Sequence, residues 1–114
     1  MNFRTLGLAM AIMSAISAPA LAHHPFAKFD STKSITMSGT VKKFEWISPH
    51  SWIHLVAQDA NGKQVEWSIE LGSPAQETQH GWKAGSVKVG DKVAVTFHPL
   101  KDGLRGGQFI SAVQ

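Results

Sequence analysis

Histidines are the residues of this sequence whose type and spacing best support chemistry. His23 and His24 are adjacent, and His50 and His54 are four residues apart. The chain has six histidines and no cysteine, so imidazole is the side chain with the strongest affinity for transition metals that it offers. The pattern predicts a metal site, with copper as the first candidate because Cu(II) favours nitrogen ligands in a tetragonal arrangement.

The first 22 residues have the parts of a secretory signal: Arg4, an apolar stretch over residues 6–16, and a small-x-small cleavage site that ends at Ala22. The apolar stretch is too short for a stable anchor across a bilayer core of about 30 Å, so we expect an exported, periplasmic protein. Cleavage after Ala22 gives His23 a free amine, and this amine with two imidazoles would form the T-shaped copper site called a histidine brace. Cleavage after Ala20 would put His23 third, where it also forms a square-planar Cu(II) or Ni(II) site.

The second pair of histidines follows Pro49. Four residues of extended strand would separate the two rings by roughly 13 Å, which is too far for one metal ion to bind both. His50 can instead lie in a turn and His54 in a strand, so that either ring can meet the amino terminus without the other. We therefore predict a metal site drawn from His23, His24, His50 and His54. The alternative for His50 and His54 is a half-buried ring bonded to a backbone carbonyl.

The elements that would position these histidines are mainly strands. Apolar side chains alternate from residue 34, and their parity shifts near Lys42 and Lys43, which predicts a bulge in a long first strand. Alternation and turn residues predict the later strands at residues 51–58, 64–71, 93–97 and 107–113. A short helix is predicted with Ser73 as its N-cap and Pro74 at its first position.

This order of elements predicts an all-β fold with little helix: a five-stranded, OB-fold-like Greek-key barrel with one short helix between strands 3 and 4. Removal of residues 1–22 from the 114 of the chain leaves 92, which is enough for one small domain. We expect residues 23–33 to form an N-terminal arm and residues 34–114 to form the barrel.

An aromatic surface is the second candidate site. Trp52 and His54 share the parity of one strand, so both rings face outward if either does. Glu70 lies on the polar side of the third strand, just before the helix. OB-fold barrels bind oligosaccharides, peptides or single strands on surfaces of this kind, so Trp52 and Glu70 mark a candidate ligand face. Packing in the core is the alternative for Trp52.

The mature chain resembles a family of short exported bacterial proteins that is classed as a domain of unknown function. The resemblance rests on the combination of five motifs: HHPFA with a following Phe29-Asp30, Phe44-Glu45-Trp46, SPHSWIH at residues 48–54, ELGSP at residues 70–74, and Gly81-Trp82. The family usually has Asn in place of Ser48 and commonly Ser in place of Pro25. The resemblance implies a periplasmic, barrel-like domain and brings no established activity.

Composition and motif content narrow the function. The formal charge of +3 falls to +2 when Arg4 is removed with the signal, which is too weak and too scattered for nucleic-acid binding. A nucleophile elbow, a P-loop and a dinucleotide fingerprint are absent from the sequence, and no carboxylate pair has a spacing that marks acid–base catalysis. We expect a binding protein and not an enzyme, with copper or another divalent metal as its ligand. The alternative is a non-metal OB-type module for a peptide, a glycan or an envelope protein.

Overall fold

The computed structural model describes residues 28–114, so the predicted signal peptide, its cleavage site, His23 and His24 lie outside the described residues. The elements are β1 (Ile35–Glu45), β2 (Trp52–Gln58), β3 (Gln64–Glu70), α1 (Pro74–Gln79), β4 (Lys92–Pro99) and β5 (Gly106–Val113). The strands close into a barrel in the order β1-β2-β3-β5-β4. Within residues 28–114 no helix is long and apolar enough to cross a membrane.

The first strand is long because it belongs to two pairings. Residues 35–40 run antiparallel to β4, and residues 40–45 run antiparallel to β2. The register with β2 shifts between Val41 and Lys43, as the change of parity in the sequence predicts. A bulge of this kind bends the strand and changes the direction of the side chains that follow it.

Parallel pairing between β3 and β5 closes the barrel. Only three pairs form this seam, and they join residues 68–70 of β3 to residues 106–108 of β5. The last pair places Glu70 opposite Gln108. The seam therefore brings a carboxylate from the middle of the chain beside a strand that is almost forty residues further on.

The interior is filled by the inward side chains of the strands and by Leu71 and Val87. The central cluster consists of Val41, Ile53, Leu55, Ile69, Leu71, Val87, Val93, Val95 and Phe97. Trp67 packs against this cluster with its ring centroid 5.7 Å from that of Phe97, as its position in the alternation predicts. Trp46 lies just beyond β1, is half-buried, and contacts Phe44 at 5.8 Å between ring centroids.

The segment before β1 is held against the barrel. Phe29 is 4% exposed and pairs with Leu100 in an isolated β-bridge. The backbone carbonyl of Lys28 accepts a hydrogen bond from the amide of Lys101 at 2.9 Å. These contacts fix the position at which the preceding residues, 1–27, join the barrel.

The helix begins as the sequence predicts. Ser73 is the N-cap, its side chain accepts a hydrogen bond from the amide of Gln76, and Pro74 is the first helical residue. Glu77 in the first turn is only 8% exposed, and its carboxylate accepts a hydrogen bond from the amide of Gly72 at 3.1 Å. The helix is therefore tied to the chain that leaves β3.

Candidate functional site

Polar and aromatic side chains form a continuous outer surface on β2 and β3. The inward positions of these strands hold Ile53, Leu55 and Ile69, which are completely buried, so the alternate positions face outward. Strand pairing places His54 opposite Ser68, and Glu45 of β1 beside Trp52. We call this surface the β2–β3 face, and its members are Glu45, Trp52, His54, Glu66 and Ser68.

His54 lies at the centre of the β2–β3 face and is largely enclosed there. Its side chain is 18% exposed, and its Nδ1 is 3.0 Å from the hydroxyl oxygen of Ser68. Its Nε2 is buried, has no hydrogen-bond partner among residues 28–114, and lies 3.5 Å from a carboxylate oxygen of Glu45. Glu66 approaches the other side of the ring, 3.8 Å from Nδ1. The ring is thus flanked by two carboxylates.

Trp52 covers one side of this histidine. The centroids of the Trp52 and His54 rings are 6.4 Å apart, and the ring planes are inclined by 16°. The two rings share the outer surface, as the parity of the strand predicts. Trp52 is half-buried and lies opposite Glu70 in the strand register, so the indole connects the β2–β3 face to the end of the barrel where Glu70 lies.

Two lysines next to the bulge form ion pairs with the two carboxylates near His54. Lys43 contacts Glu45, and Lys42 donates a hydrogen bond to Glu66, each at 2.8 Å. The hydrogen bond from Lys43 lowers the pKa of Glu45 below its ordinary value, and Lys42 does the same for the pKa of Glu66. Both carboxylates are therefore ionised at neutral pH.

A cleft of about 590 Å³ opens where β3, β5 and α1 meet. Its volume falls in the range of about 300–1,000 Å³ that is typical of small-molecule sites. We call it the α1 cleft. It combines apolar and ionisable walls, which include Phe29, His50, Glu70, Leu71, Glu77 and Phe109.

Glu70 is the principal charged group of the α1 cleft. The residue is 6% exposed, although its position on the polar side of β3 suggests exposure. Lys28 Nζ lies 3.8 Å from one carboxylate oxygen, and His50 Nδ1 lies 3.7 Å from the other. Both distances exceed that of a hydrogen bond, so neither Lys28 nor His50 is a close donor to Glu70.

His50 is oriented by a backbone carbonyl. Its Nδ1 lies 3.2 Å from the carbonyl oxygen of Leu71. Because a carbonyl can only accept, this hydrogen bond requires the proton on Nδ1, and the neutral ring then has its lone pair on Nε2. Metal-binding histidines commonly donate their second ring N–H to a carbonyl in this way.

The structure places the two predicted histidines of β2 and its preceding loop at different sites. His54 belongs to the β2–β3 face, whereas His50 lines the α1 cleft. Across residues 28–114 no group of three or more His, Cys, Asp or Glu side chains is arranged to hold a metal ion. His23 and His24, the other two predicted ligands, lie outside the described residues.

Three other charged residues of these sites are not identified by the sequence. Glu77 is buried in the α1 cleft, Lys28 reaches Glu70, and Glu45 faces His54. Of these three, only the position of Glu45 could be anticipated from the sequence. The parity shift at the bulge changes the side of the strand to which the following side chains point. The burial of Glu77 depends on the way α1 packs, which has no local signature.

The closed barrel with its helix between β3 and β4 defines an OB-fold. It is similar to the crystal structure of a mitochondrial single-stranded DNA-binding protein from S. cerevisiae, with a TM-score of 0.52 and 14% sequence identity. The similarity covers 71% of this chain and 92% of that one. At this level of identity it establishes the fold alone, and it confirms the predicted all-β, OB-fold-like barrel.

The chain belongs to the family of unknown function DUF6152, which matches residues 11–109. The predicted resemblance to a domain-of-unknown-function family is thereby confirmed. No match was found among curated proteins. The family match includes His23 and His24 together with the residues that define the β2–β3 face and the α1 cleft.

Proposed function

We propose that this protein is a small periplasmic binding protein that holds Cu(II), or another divalent metal ion, with His23, His24 and His50. The coarser part of this function follows from the fold, since OB-fold barrels commonly serve as binding modules. The observation that carries the metal proposal is the orientation of His50. Its contact with the carbonyl of Leu71 leaves Nε2 available as a ligand at the α1 cleft.

The length of the arm supports this assignment. His23 lies five positions before Lys28, and five extended residues span up to about 17 Å. Lys28 already reaches the cleft, with its Nζ 3.8 Å from Glu70. A mature amino terminus at His23 is thus within reach of His50, and the carboxylate of Glu70 favours a divalent cation there. His54 is the weaker ligand, because its Nε2 is enclosed beside Glu45.

The test combines intact mass of the protein recovered from the periplasm with Cu(II) titration of the same sample. We expect a mature start at His23 and tight one-to-one binding, which one extra N-terminal residue abolishes. His50→Ala weakens copper binding, whereas His54→Gln, the matched control, leaves it unchanged. A different start, or an affinity no greater than that of a free His-His dipeptide, would overturn the proposal.

A non-metal binding module is the second candidate, and the stacking of Trp52 on His54 favours it. This pair lies on β2, whose outer surface with β3 is the usual ligand surface of OB-folds. Peptides and oligosaccharides can be screened by NMR of the mature protein. Shifts centred on Trp52, His54 and Glu70 that persist after removal of residues 23 and 24 would support this function over metal binding.

Nucleic acid is a less suitable ligand for this surface. The β2–β3 face presents Glu45 and Glu66, which pair with Lys43 and Lys42. Such a face lacks the unopposed basic groove that a phosphate backbone requires. We therefore maintain the expectation that this protein does not bind DNA, and a fluorescent oligothymidylate should show no binding at physiological salt.

A further inference from the structure

We propose that the α1 cleft is also a binding site for an organic cation, namely a protonated primary amine attached to an apolar group. This proposal concerns the cleft that the metal proposal also uses, but it does not require a bound metal ion. A volume of about 590 Å³ is far larger than one metal ion occupies, and it is adequate for a small organic molecule or a side chain of another polypeptide.

The charges of the cleft select a cation. Glu70 and Glu77 are 6% and 8% exposed and both line the cleft. Lys28 is the ammonium group closest to Glu70 among the described residues, and its contact of 3.8 Å is too long for a hydrogen bond. A buried carboxylate without a close donor gains a charge-assisted hydrogen bond when an ammonium group binds.

The apolar walls determine what the ammonium group is attached to. Phe29 and Leu71 are each 4% exposed, and they line the same cleft as the two carboxylates. Phe109 forms a third wall and is held edge-on by Trp82, with ring centroids 5.2 Å apart. An aliphatic or aromatic group attached to the amine would pack against these walls, and its apolar surface would be removed from contact with water.

Lys28 shows that this environment accepts an amine. Its Nζ lies 5.2 Å from the centroid of the Phe29 ring while it approaches Glu70, so one ammonium group has both a carboxylate and an aromatic face beside it. The Lys28 side chain is 54% exposed, which allows it to move out of the cleft. We therefore assign Lys28 as an internal competitor of the external amine.

The experiment is a titration of the mature protein with benzylamine, with a chelator present to remove metal ions. Calorimetry gives the affinity, and NMR locates the bound ring. We expect benzylamine to bind and benzyl alcohol, which has a similar shape and no charge, to bind at least about tenfold more weakly, as expected for the loss of a charged hydrogen bond. Equal affinity for the two compounds would overturn the proposal.

Two variants test the assigned residues, and a third is a control. Glu70→Gln preserves the shape of the side chain and should weaken benzylamine binding by about tenfold or more. Glu66→Gln removes a charge from the outer surface, away from the cleft, and should have no effect. Lys28→Gln should strengthen binding several-fold because it removes the competitor. Unchanged affinity in Glu70→Gln, with an NMR spectrum that shows an intact fold, would also overturn the proposal.

A capped Gly-Lys-Gly peptide distinguishes the two sources of such an amine. Tighter binding of this peptide than of benzylamine would indicate a lysine side chain of a partner polypeptide, and the reverse would indicate a free small amine. Failure of both ligands to bind contradicts the proposal. Because the chelator excludes metal, this outcome and the outcome of the copper titration are separate.

Discussion

At the residue scale, the surroundings of His54 show how a polar ring can lie on the outer surface of a barrel and still be nearly buried. Trp52 covers it from one side, and Glu45 and Glu66 flank it. Among the described residues, its Nε2 is the buried side-chain nitrogen or oxygen atom that has no hydrogen-bond partner. A buried nitrogen without a partner is costly, and the carboxylate oxygen of Glu45 at 3.5 Å is farther away than in an ordinary hydrogen bond.

The carboxylates near this ring make stability depend on pH. The lysine partners lower the pKa of Glu45 and of Glu66 in the folded protein. A lowered pKa contributes stability that is present above the unfolded value and is lost as pH falls through the folded value. We expect Glu45→Gln to lower Tm slightly at pH 7 and to have a smaller effect as the pH falls and Glu45 becomes protonated, as measured by thermal denaturation across pH.

The partner residue provides the control for this prediction. Lys43→Gln should lower Tm at pH 7 by about the same amount as Glu45→Gln, because each removes the same ion pair. The double variant should add little to either single loss. Additive losses would show that Lys43 and Glu45 act separately.

At the scale of elements, the close packing of β1 against β2, at the point where β1 changes its pairing partner from β4 to β2, requires a glycine. A Cβ atom on Gly39 would lie 2.8 Å from the carbonyl oxygen of Val56, which belongs to the backbone of β2. We expect Gly39→Ala to destabilise the protein by about 1–3 kcal/mol, since the backbone must shift to relieve the contact. Urea denaturation measures the loss. Gly85→Ala is the matched control, because its Cβ would meet nothing within 4 Å.

The N-cap of α1 supports one wall of the α1 cleft. Ser73 and Gln76 form a reciprocal capping box, and Glu77 in the same turn binds the amide of Gly72. Replacement of Ser73 by Ala should cost about 1 kcal/mol of unfolding free energy, whereas Ser73→Asp should retain most of it. Chemical denaturation compares the two variants, and an equal loss in both would argue against the capping role.

Much of the fold can be predicted from local patterns. Alternation gives the strands, the change of parity gives the bulge next to Lys42, and Ser73-Pro74 gives the start of the helix. The burial of Glu70 has no such signal, because the sequence places it on a polar side of β3. Its environment comes from α1, from the arm at Lys28, and from a parallel seam with β5, all of which are distant in sequence.

The candidate site is less predictable for the same reason. His50 and His54 are close in sequence, yet one lies at the cleft and the other on the outer surface, because the strand begins between them at Trp52. The sequence raises the two sites as alternatives. It cannot show that Lys28, at the start of the described residues, lies beside Glu70 of the α1 cleft.

At the scale of the whole molecule, the described part of the arm, residues 28–33, packs against the barrel through Phe29. Phe29 is 4% exposed and forms a wall of the α1 cleft. We expect Phe29→Ala to lower the unfolding free energy by roughly 3–5 kcal/mol and to weaken copper binding, because Lys28 and the residues before it lose their anchor. Denaturation and copper titration measure the two effects. Leu104→Ala, at a residue that is 66% exposed, should change neither.

The short seam between β3 and β5 also bears on self-association. β3 pairs with β2 along its whole length but with β5 only over residues 68–70, so residues 64–67 have a neighbouring strand on one side within the described chain. Such a free edge can template the addition of a strand from another molecule. Here the edge is four residues long and carries Glu66, and two copies joined antiparallel would bring like charges together. Shortness and charge thus protect this open edge of β3 against aggregation.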